Sequence, residues 1–471
     1  MLLTIRKIAF TEISLLLRDG VFRLAAIFLG VAVLVGLIAG AIHYNRQQGL
    51  NLEASKREQA RWLSQPPRDP HSATHFGQTA FHQLGLLSAF DSGVDPYAGA
   101  TVFLESHKRN FPRFSWSADA ARLSGPGHFT AATAWRILLP LLIIVIAHGA
   151  ISRERENGTL GLLLASGVSY RDLLMGKFFG YLIAIAAVAM PLALVTTAVL
   201  AYLSPLSSEG DWLVRGLCLG LSYALYAQIF LGLSLALSVV LPSTAAARSV
   251  LLSFWVLSAL VAPRAITDLS QMAFPTPSSI QVEQAINSDP DRFFGAKRRE
   301  ELTKAILAKY GVQSTKDLPI NFNGLLSQTA EEHTNGLIDR HFRSIQDAYR
   351  NGMRWIASWS WMSPTLAVDG VSMALSGTDL AHYDYFLNSS EEHRRLMVRM
   401  LNEEQARHPV KSGERAFRAD FSVWKLIPSF EQKFPDAAWS VRSNKTSFTA
   451  LGLWFVFSTG LLVAVANRRW V

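Results

Sequence analysis

Six stretches of this chain are apolar for long enough to cross a bilayer, and they constrain everything else it can fold into. They lie at about 21–42, 134–151, 178–203, 213–241, 249–266 and 447–466. A membrane-spanning helix needs roughly 20 predominantly apolar residues. The second and fifth stretches are short and cross only with little tilt, whereas the fourth is long enough to tilt or to extend past the hydrocarbon core. Only 17% of the residues are charged, against about 25% in ordinary soluble domains. The expected fold is an all-α polytopic membrane protein, with six transmembrane helices and two mainly helical extracytoplasmic domains.

The net charge of +9 has two readings, and its distribution separates them. A basic chain can bind nucleic acid, but the long segment 267–446 balances its acids and bases. The excess sits beside the apolar runs. Arg6, Lys7, Arg18 and Arg23 flank the first run, and Arg153, Arg155, Arg171 and Lys177 separate the second from the third. Arg248 precedes the fifth, and Arg468 and Arg469 follow the sixth. If six helices cross alternately, these all fall on one side, which the positive-inside rule makes cytoplasmic. Both termini are then cytoplasmic, the lipid bilayer is a partner, and no nucleic-acid partner is expected. The first run lacks a small-residue cleavage site and reads as a retained anchor. The single cysteine, Cys218, lies inside the fourth run, so the outside segments hold no disulfide.

Residues 1–20 read either as an interfacial helix or as the cytoplasmic start of the first transmembrane helix. Residues 43–133 form the first extracytoplasmic domain: a polar helical start, a break at "SQPPRDP", then an irregular packed element. Residues 267–446 form the second and larger one. It has a helix start at Asp289 and Pro290, a stop at Gly311, and a long helical stretch from about Gly324 to Trp359. Helices are also expected in "SPTLAVDGVSMALSG" and "SSEEHRRLMVRMLNEEQARH".

The loop at 152–177, "SRERENGTLGLLLASGVSYRDLLMGK", sets a dense charge knot between two apolar runs. Thr159 reads as the cap of a short helix that Gly167 stops, and Ser169 as the cap of the next, with Asp172 three residues on. A cytoplasmic helix exposing Leu160, Leu162, Leu163 and Leu164 needs a partner or the membrane surface.

This loop resembles the one after the second transmembrane helix of ABC-2 type permeases, the membrane subunits of ABC exporters. The matching positions are Glu154, Arg155, Glu156, Gly158, Thr159, Leu160, Gly176 and Lys177. The chain departs at Gly161, where many relatives carry an acidic residue. "LPSTAAARSVLLSFWVLSALVAP" resembles the link between the fourth and fifth helices. "DPHSATHFG", "FDSGVDPYAG", "LESHKRN" and the stretch from Ser363 to Leu401 resemble a subgroup with large extracytoplasmic insertions after the first and fifth helices. The resemblance implies a permease subunit of an ATP-driven exporter in the bacterial inner membrane. It further implies that Glu154, Arg155, Glu156, Gly158, Thr159, Leu160, Leu163 and Leu164 dock a separate ATPase subunit. ATP and Mg would be bound by that partner, and a second permease, either a copy or a paralogue, would complete the assembly.

The chain itself has no P-loop, since "MGKFF" lacks the earlier Gly and the Ser/Thr that cradle phosphate. No enzyme activity is expected, and no G-x-S-x-G motif argues otherwise. An ATPase-coupled scaffold or sensor, whose outside domains bind a partner without transport, is the alternative. An ATP-independent carrier fits poorly, because the spans hold few ionisable groups.

Polar groups inside spans are functional suspects. Ser222, Tyr223, Tyr226 and Gln228 are the candidates for a substrate path, or else for a helix–helix contact. His148 lies near the cytoplasmic end. Arg136, Arg215 and Arg264 are expected to reach the headgroups. His71, His75 and His82, with His107 further on, have the residue type for Zn or Cu. Without a Cys or a clean helix they are taken as structural or surface histidines, with no metal.

Overall fold

The computed structural model describes residues 2–115, 129–204, 211–410 and 416–467; Arg468 and Arg469 lie outside the described residues. Among the described residues, six helices are long and apolar enough to cross a membrane: Gly20–Leu63, Ala131–Glu156, Tyr170–Leu203, Asp211–Val240, Thr244–Ala273 and Lys445–Asn467. They contain all six apolar runs, and the chain is an all-α polytopic membrane protein. The fourth is the most enclosed, with Leu219, Tyr226, Phe230, Leu231 and Leu235 buried among its neighbours.

Three departures from simple spans follow from particular residues. Asp19 ends a separate N-terminal helix, Leu2–Arg18, and caps the first span by accepting from Val21 N at 2.7 Å. The first span then runs for 44 residues, roughly 65 Å at 1.5 Å per residue, so its polar second half stands clear of any bilayer. The fifth span widens into a π turn at Val256–Val261, two residues before Pro263. Proline withholds an amide there, and the carbonyls freed by such a defect are usually met by neighbours.

Residues 43–115, 276–362, 377–410 and 416–436 pack together as one body at the end of the bundle opposite the 152–177 loop. Trp62, Ala73, Val102 and Leu104 from the first segment share a core with Phe386, Met397, Leu401 and Trp424 from the later ones. The Trp62 indole donates to Trp424 O at 3.0 Å, which ties the far end of the first span's helix into this module. The first segment also contributes a small antiparallel sheet: β1 (Gln78–Phe81), β2 (Gly99–Glu105), β3 (Lys108–Arg109) and β4 (Arg113–Ser115). β2 pairs with the other three.

Two long helices of the module, Phe322–Ser358 and Leu380–Ala406, are clamped by buried charge. Arg394 bonds Glu331 at 2.5 Å and Glu391 at 2.8 Å, and it also holds Asn335. Burial opposes the charge on Glu331, but His107 and Arg394 outweigh it and bring the carboxyl down to about 2.

A further helix, Pro364–Ser376, belongs to the large segment by sequence but packs into the bundle. Its Ala367, Val368, Val371 and Leu375 lie in the same apolar core as the spans. At 13 residues it is too short to cross, so its apolar surface is covered by the fourth and sixth spans instead.

Candidate functional site

The 152–177 loop folds into a five-residue helix, Ser152–Glu156, then a second short helix, Thr159–Ala165, before Ser169 caps the third span. Gly158 (φ +72°) and Gly167 (φ +90°) bracket the second helix in the left-handed region, where a Cβ is disfavoured. Ser169 caps as expected, accepting from Asp172 N at 3.1 Å. Thr159 does not cap its helix. Its hydroxyl turns back to the Glu154 carboxylate and to Glu154 O.

Three of the four charged residues of the knot, Glu154, Arg155 and Glu156, each hold a different helix, and Arg153 is exposed. Glu154 Oε1 lies 3.3 Å from Lys177 Nζ at the start of the third span. Arg155 donates to Val239 O at 3.0 Å and to Leu241 O, the carbonyls at the C-terminal end of the fourth span. Glu156 accepts from Thr244 N at 2.8 Å and from Thr244 Oγ1 at 2.7 Å, at the N-terminus of the fifth. The signs suit the helix ends, a cation on bare carbonyls and an anion on bare amides. Beneath them Ser238 Oγ accepts from Ile151 N and Ser152 N, at 2.9 and 3.1 Å.

Lys177 extends the brace to the N-terminal helix. It is buried, and its ammonium bonds Glu12 at 2.6 Å. A lysine in that position needs its partners, because an unpaired buried ammonium is costly. The approach of the two helices depends on Gly176 and Gly180. A Cβ at Gly176 would stand 2.6 Å from Ile8, and one at Gly180 would stand 2.8 Å from Glu12. Leu3, Phe10 and Leu17, seven residues apart, remain exposed on the outer face of the N-terminal helix.

With Glu154, Arg155 and Glu156 engaged by the spans, the loop leaves one apolar element uncovered. Leu162 is 73% exposed, and Gly161 has nothing near its missing side chain. Leu160, Leu163 and Leu164 are half-buried, with Leu160 and Leu163 packing against the bundle core. The site therefore has an anchored polar half and a presented apolar half.

The four polar residues of the fourth span are buried and engaged. Tyr226 OH donates to Arg136 O at 2.9 Å and lies 3.0 Å from Thr365 Oγ1. Tyr223 OH lies 3.3 Å from Ser372 Oγ. Gln228 bonds Thr459 and Ser458 of the sixth span at 3.1 and 3.2 Å. Ser222 returns its hydroxyl to Cys218 O at 2.8 Å. Three of the four thus stitch the fourth span to the Pro364–Ser376 helix or to the sixth span. Ser258, in the π turn of the fifth span, joins the same stitching through Ser363 and Thr365 at 2.8 and 2.9 Å. A cavity of about 1050 Å³ lies between the module and the domain end of the bundle. It is lined by residues such as Tyr349, Arg350, Asp369, Gly370, Asp384 and Ser447. None of the four fourth-span residues is among its lining.

Two arginines expected at the headgroups do something else. Arg136 pairs with Asp369 on the short embedded helix. Arg215 is buried and donates to Leu375 O at 3.3 Å, Ser440 Oγ at 2.9 Å and Pro435 O at 2.5 Å, so it covers that helix's C-terminal carbonyls. Arg264 is exposed beside Asp268. His148 folds back onto Ile144 O at 2.9 Å.

The chain also aligns Ser440, His382 and Asp379, with Ser440 Oγ 3.1 Å from His382 Nε2 and His382 Nδ1 2.5 Å from Asp379. All three are buried, and the guanidinium of Arg215 occupies the serine oxygen. This relay anchors the helix ends rather than exposing a nucleophile.

Sequence reasoning missed Glu12, Ser238 and Thr244, and the embedding of Pro364–Ser376. Glu12 carries no local signal. The Ser243–Thr244 pair after Pro242 could have been read as a helix start needing an anion.

Residues 113–261 match the model of a family described as ABC-2 family transporter protein. That span holds the second to fourth spans, the 152–177 loop and most of the fifth span. Residues 294–433 match a domain of unknown function (DUF3526). The comparison with curated proteins gives no match. The first match supports the membrane component of an ABC transporter, a transport part and not itself a catalyst.

Proposed function

We propose that this chain is the permease subunit of an ATP-driven ABC-2 type exporter. In this reading it sits in the bacterial inner membrane, with both termini and the 152–177 loop cytoplasmic and the large module outside. A separate ATPase subunit binds ATP and Mg and docks on the loop, and a second permease, copy or paralogue, completes the assembly. The observation that carries the reading is the division within the loop: an exposed Leu162 helix between two left-handed glycines, backed by a charge knot wired to three spans.

Docking on the exposed Leu162 and on the accessible edges of Leu160, Leu163 and Leu164 would cover the outer face of the short helix. Movement of the ATPase would then push Thr159–Ala165. Glu154 would pass that push to Lys177 and the third span, Arg155 to the end of the fourth, and Glu156 to the start of the fifth. Polar contacts to helix ends suit this task, since a displaced helix end moves its whole span as a rigid rod. At the other end, Tyr223 and Tyr226 would carry the motion to the embedded helix and so to the cavity wall, and Gln228 would carry it to the sixth span.

The embedded helix also favours the second reading, a scaffold or sensor in which ATPase-driven motion changes what the module binds. ATP-driven flux in proteoliposomes supports export, whereas altered module binding without flux supports the scaffold. The first test is affinity capture of the full chain from mild-detergent membranes, with partners identified by mass spectrometry. A P-loop ATPase is expected. Its absence, under conditions that keep a known ABC complex together, removes both readings.

A further inference from the structure

Three histidines of the large module meet at its surface. His71 and His75 stand four residues apart on the helix Pro70–Phe76, which puts them on one face. His107 arrives from the two-residue turn between β2 and β3, where Glu105 pairs with Lys108. The ring centroids form a near-equilateral triangle with sides of 5.4, 5.3 and 5.3 Å. A nitrogen from each ring lies within 4.8 Å of the other two. A tetrahedral Zn site, with bonds of about 2.0–2.1 Å, needs these nitrogens roughly 3.3 Å apart. His107 is held by Glu331, so the exposed ring of His75, whose contact is to Ser106 Oγ at 3.2 Å, is the one that would turn to shorten that gap.

The surroundings treat two of these rings as ligands. His71 Nδ1 lies 2.8 Å from Asn402 Oδ1, and His107 Nδ1 lies 2.9 Å from Glu331 Oε2. Both partners are acceptors, so each Nδ1 carries a proton and Nε2 is the nitrogen that a neutral ring would offer to a metal. Such outer acceptors are the usual means of fixing the tautomer of a metal-binding histidine. Both are themselves buried and held, Glu331 by Arg394 at 2.5 Å and Asn402 by Gln328 at 3.1 Å.

The backbone adds an independent observation. His107 has φ +67°, a left-handed conformation costing a non-glycine residue on the order of 1 kcal/mol. Its amide donates to the same Glu331 carboxylate at 2.9 Å, so one buried acid fixes both the strained turn and the ring. A residue needed only for the turn would be Gly or Asn. His82, which the sequence groups with His71 and His75, is not part of the cluster; it is buried between Tyr383 and Phe386.

We propose that His71, His75 and His107 bind a divalent first-row transition ion of the imidazole-preferring kind, Zn²⁺ or Cu²⁺, with a fourth position open to solvent. An all-nitrogen set disfavours Mg²⁺ and Ca²⁺, which take oxygen ligands. The absence of a thiolate from the cluster disfavours Cu⁺. The site is independent of the transport reading and would survive its failure.

The test uses the full chain in mild detergent, stripped with a chelator. Zn²⁺ and Cu²⁺ are titrated separately by calorimetry, and Co²⁺ is followed by its visible absorption. One ion per chain is expected. His75→Gln and His107→Gln should each weaken binding at least 100-fold, and His75→Gln, an exposed change, should leave the melting temperature of the metal-free protein unchanged. Retention of the Co²⁺ spectrum by the His75→Gln, His107→Gln double variant overturns the site. So does wild type binding either ion no more tightly than that variant.

Discussion

The two ends of the helical bundle use the same residue types in opposite ways. At the loop end, Glu154, Arg155 and Glu156 lie at or near the surface and reach inward to helix ends, leaving Leu162 uncovered. At the domain end, Arg215 and Arg394 are enclosed, each among several oxygen partners. Desolvation separates the two. A charge that can still reach water gives directional contact at little cost, whereas an enclosed one fixes a geometry because losing a partner is expensive. In the proposed function, the loop end is the part that moves and the domain end the part that holds.

That contrast is broken most severely at Arg394. Arg394→Met takes the shared cation from buried Glu331 and Glu391, leaving them only His107 and Arg395, and should cost about 3 kcal/mol, seen as early unfolding of the module in a thermal melt. Next is a pH effect confined to the module. Burial, and then His382, push His82 down to about 4. The unfolded chain takes up a proton near pH 6.5 that the folded chain refuses. Stability is therefore full above pH 6.5 and falls as pH drops towards 4, by about 3 kcal/mol. His82→Phe, packed between the same aromatic rings, should flatten that slope.

At the loop end the effects shrink. Lys177→Met strands Glu12 and Glu154, but both side chains retain some access to water, so the loss should be about 2 kcal/mol. Gly158→Ala forces a Cβ into the left-handed region with open space around it and should cost about 1 kcal/mol, read as a small drop in melting temperature. A larger loss in either variant than at Arg394 would reverse the contrast.

How much of this was legible in the sequence depended on range. The six spans were, because apolar length is a local property. So were the loop's glycine-bounded short helix and the Ser169 cap. The destinations of the charges were not. Lys177 meets Glu12 from 165 residues away, and no pattern around Lys177 announces it. Arg136 and Arg215 were expected at the headgroups because each lies near a span end; what holds them is a 13-residue apolar helix too short to register as part of the bundle. His82 was grouped with His71 and His75 by proximity in sequence, yet a hairpin turn supplies His107 instead. The polar fourth-span residues left two readings open, and their hydrogen bonds to neighbouring helices favour the contact role in this conformation.

The central claim is that the loop divides into a face that docks and a knot that transmits. Its most direct test compares Leu162→Glu with Lys177→Met in one experiment, measuring ATPase co-purification and melting temperature for each. Leu162→Glu should lose the ATPase while melting like wild type, and Lys177→Met should keep the ATPase while melting earlier. If Leu162→Glu retains the ATPase, or if both variants lose it alike, docking and bracing are not separate and the account is wrong.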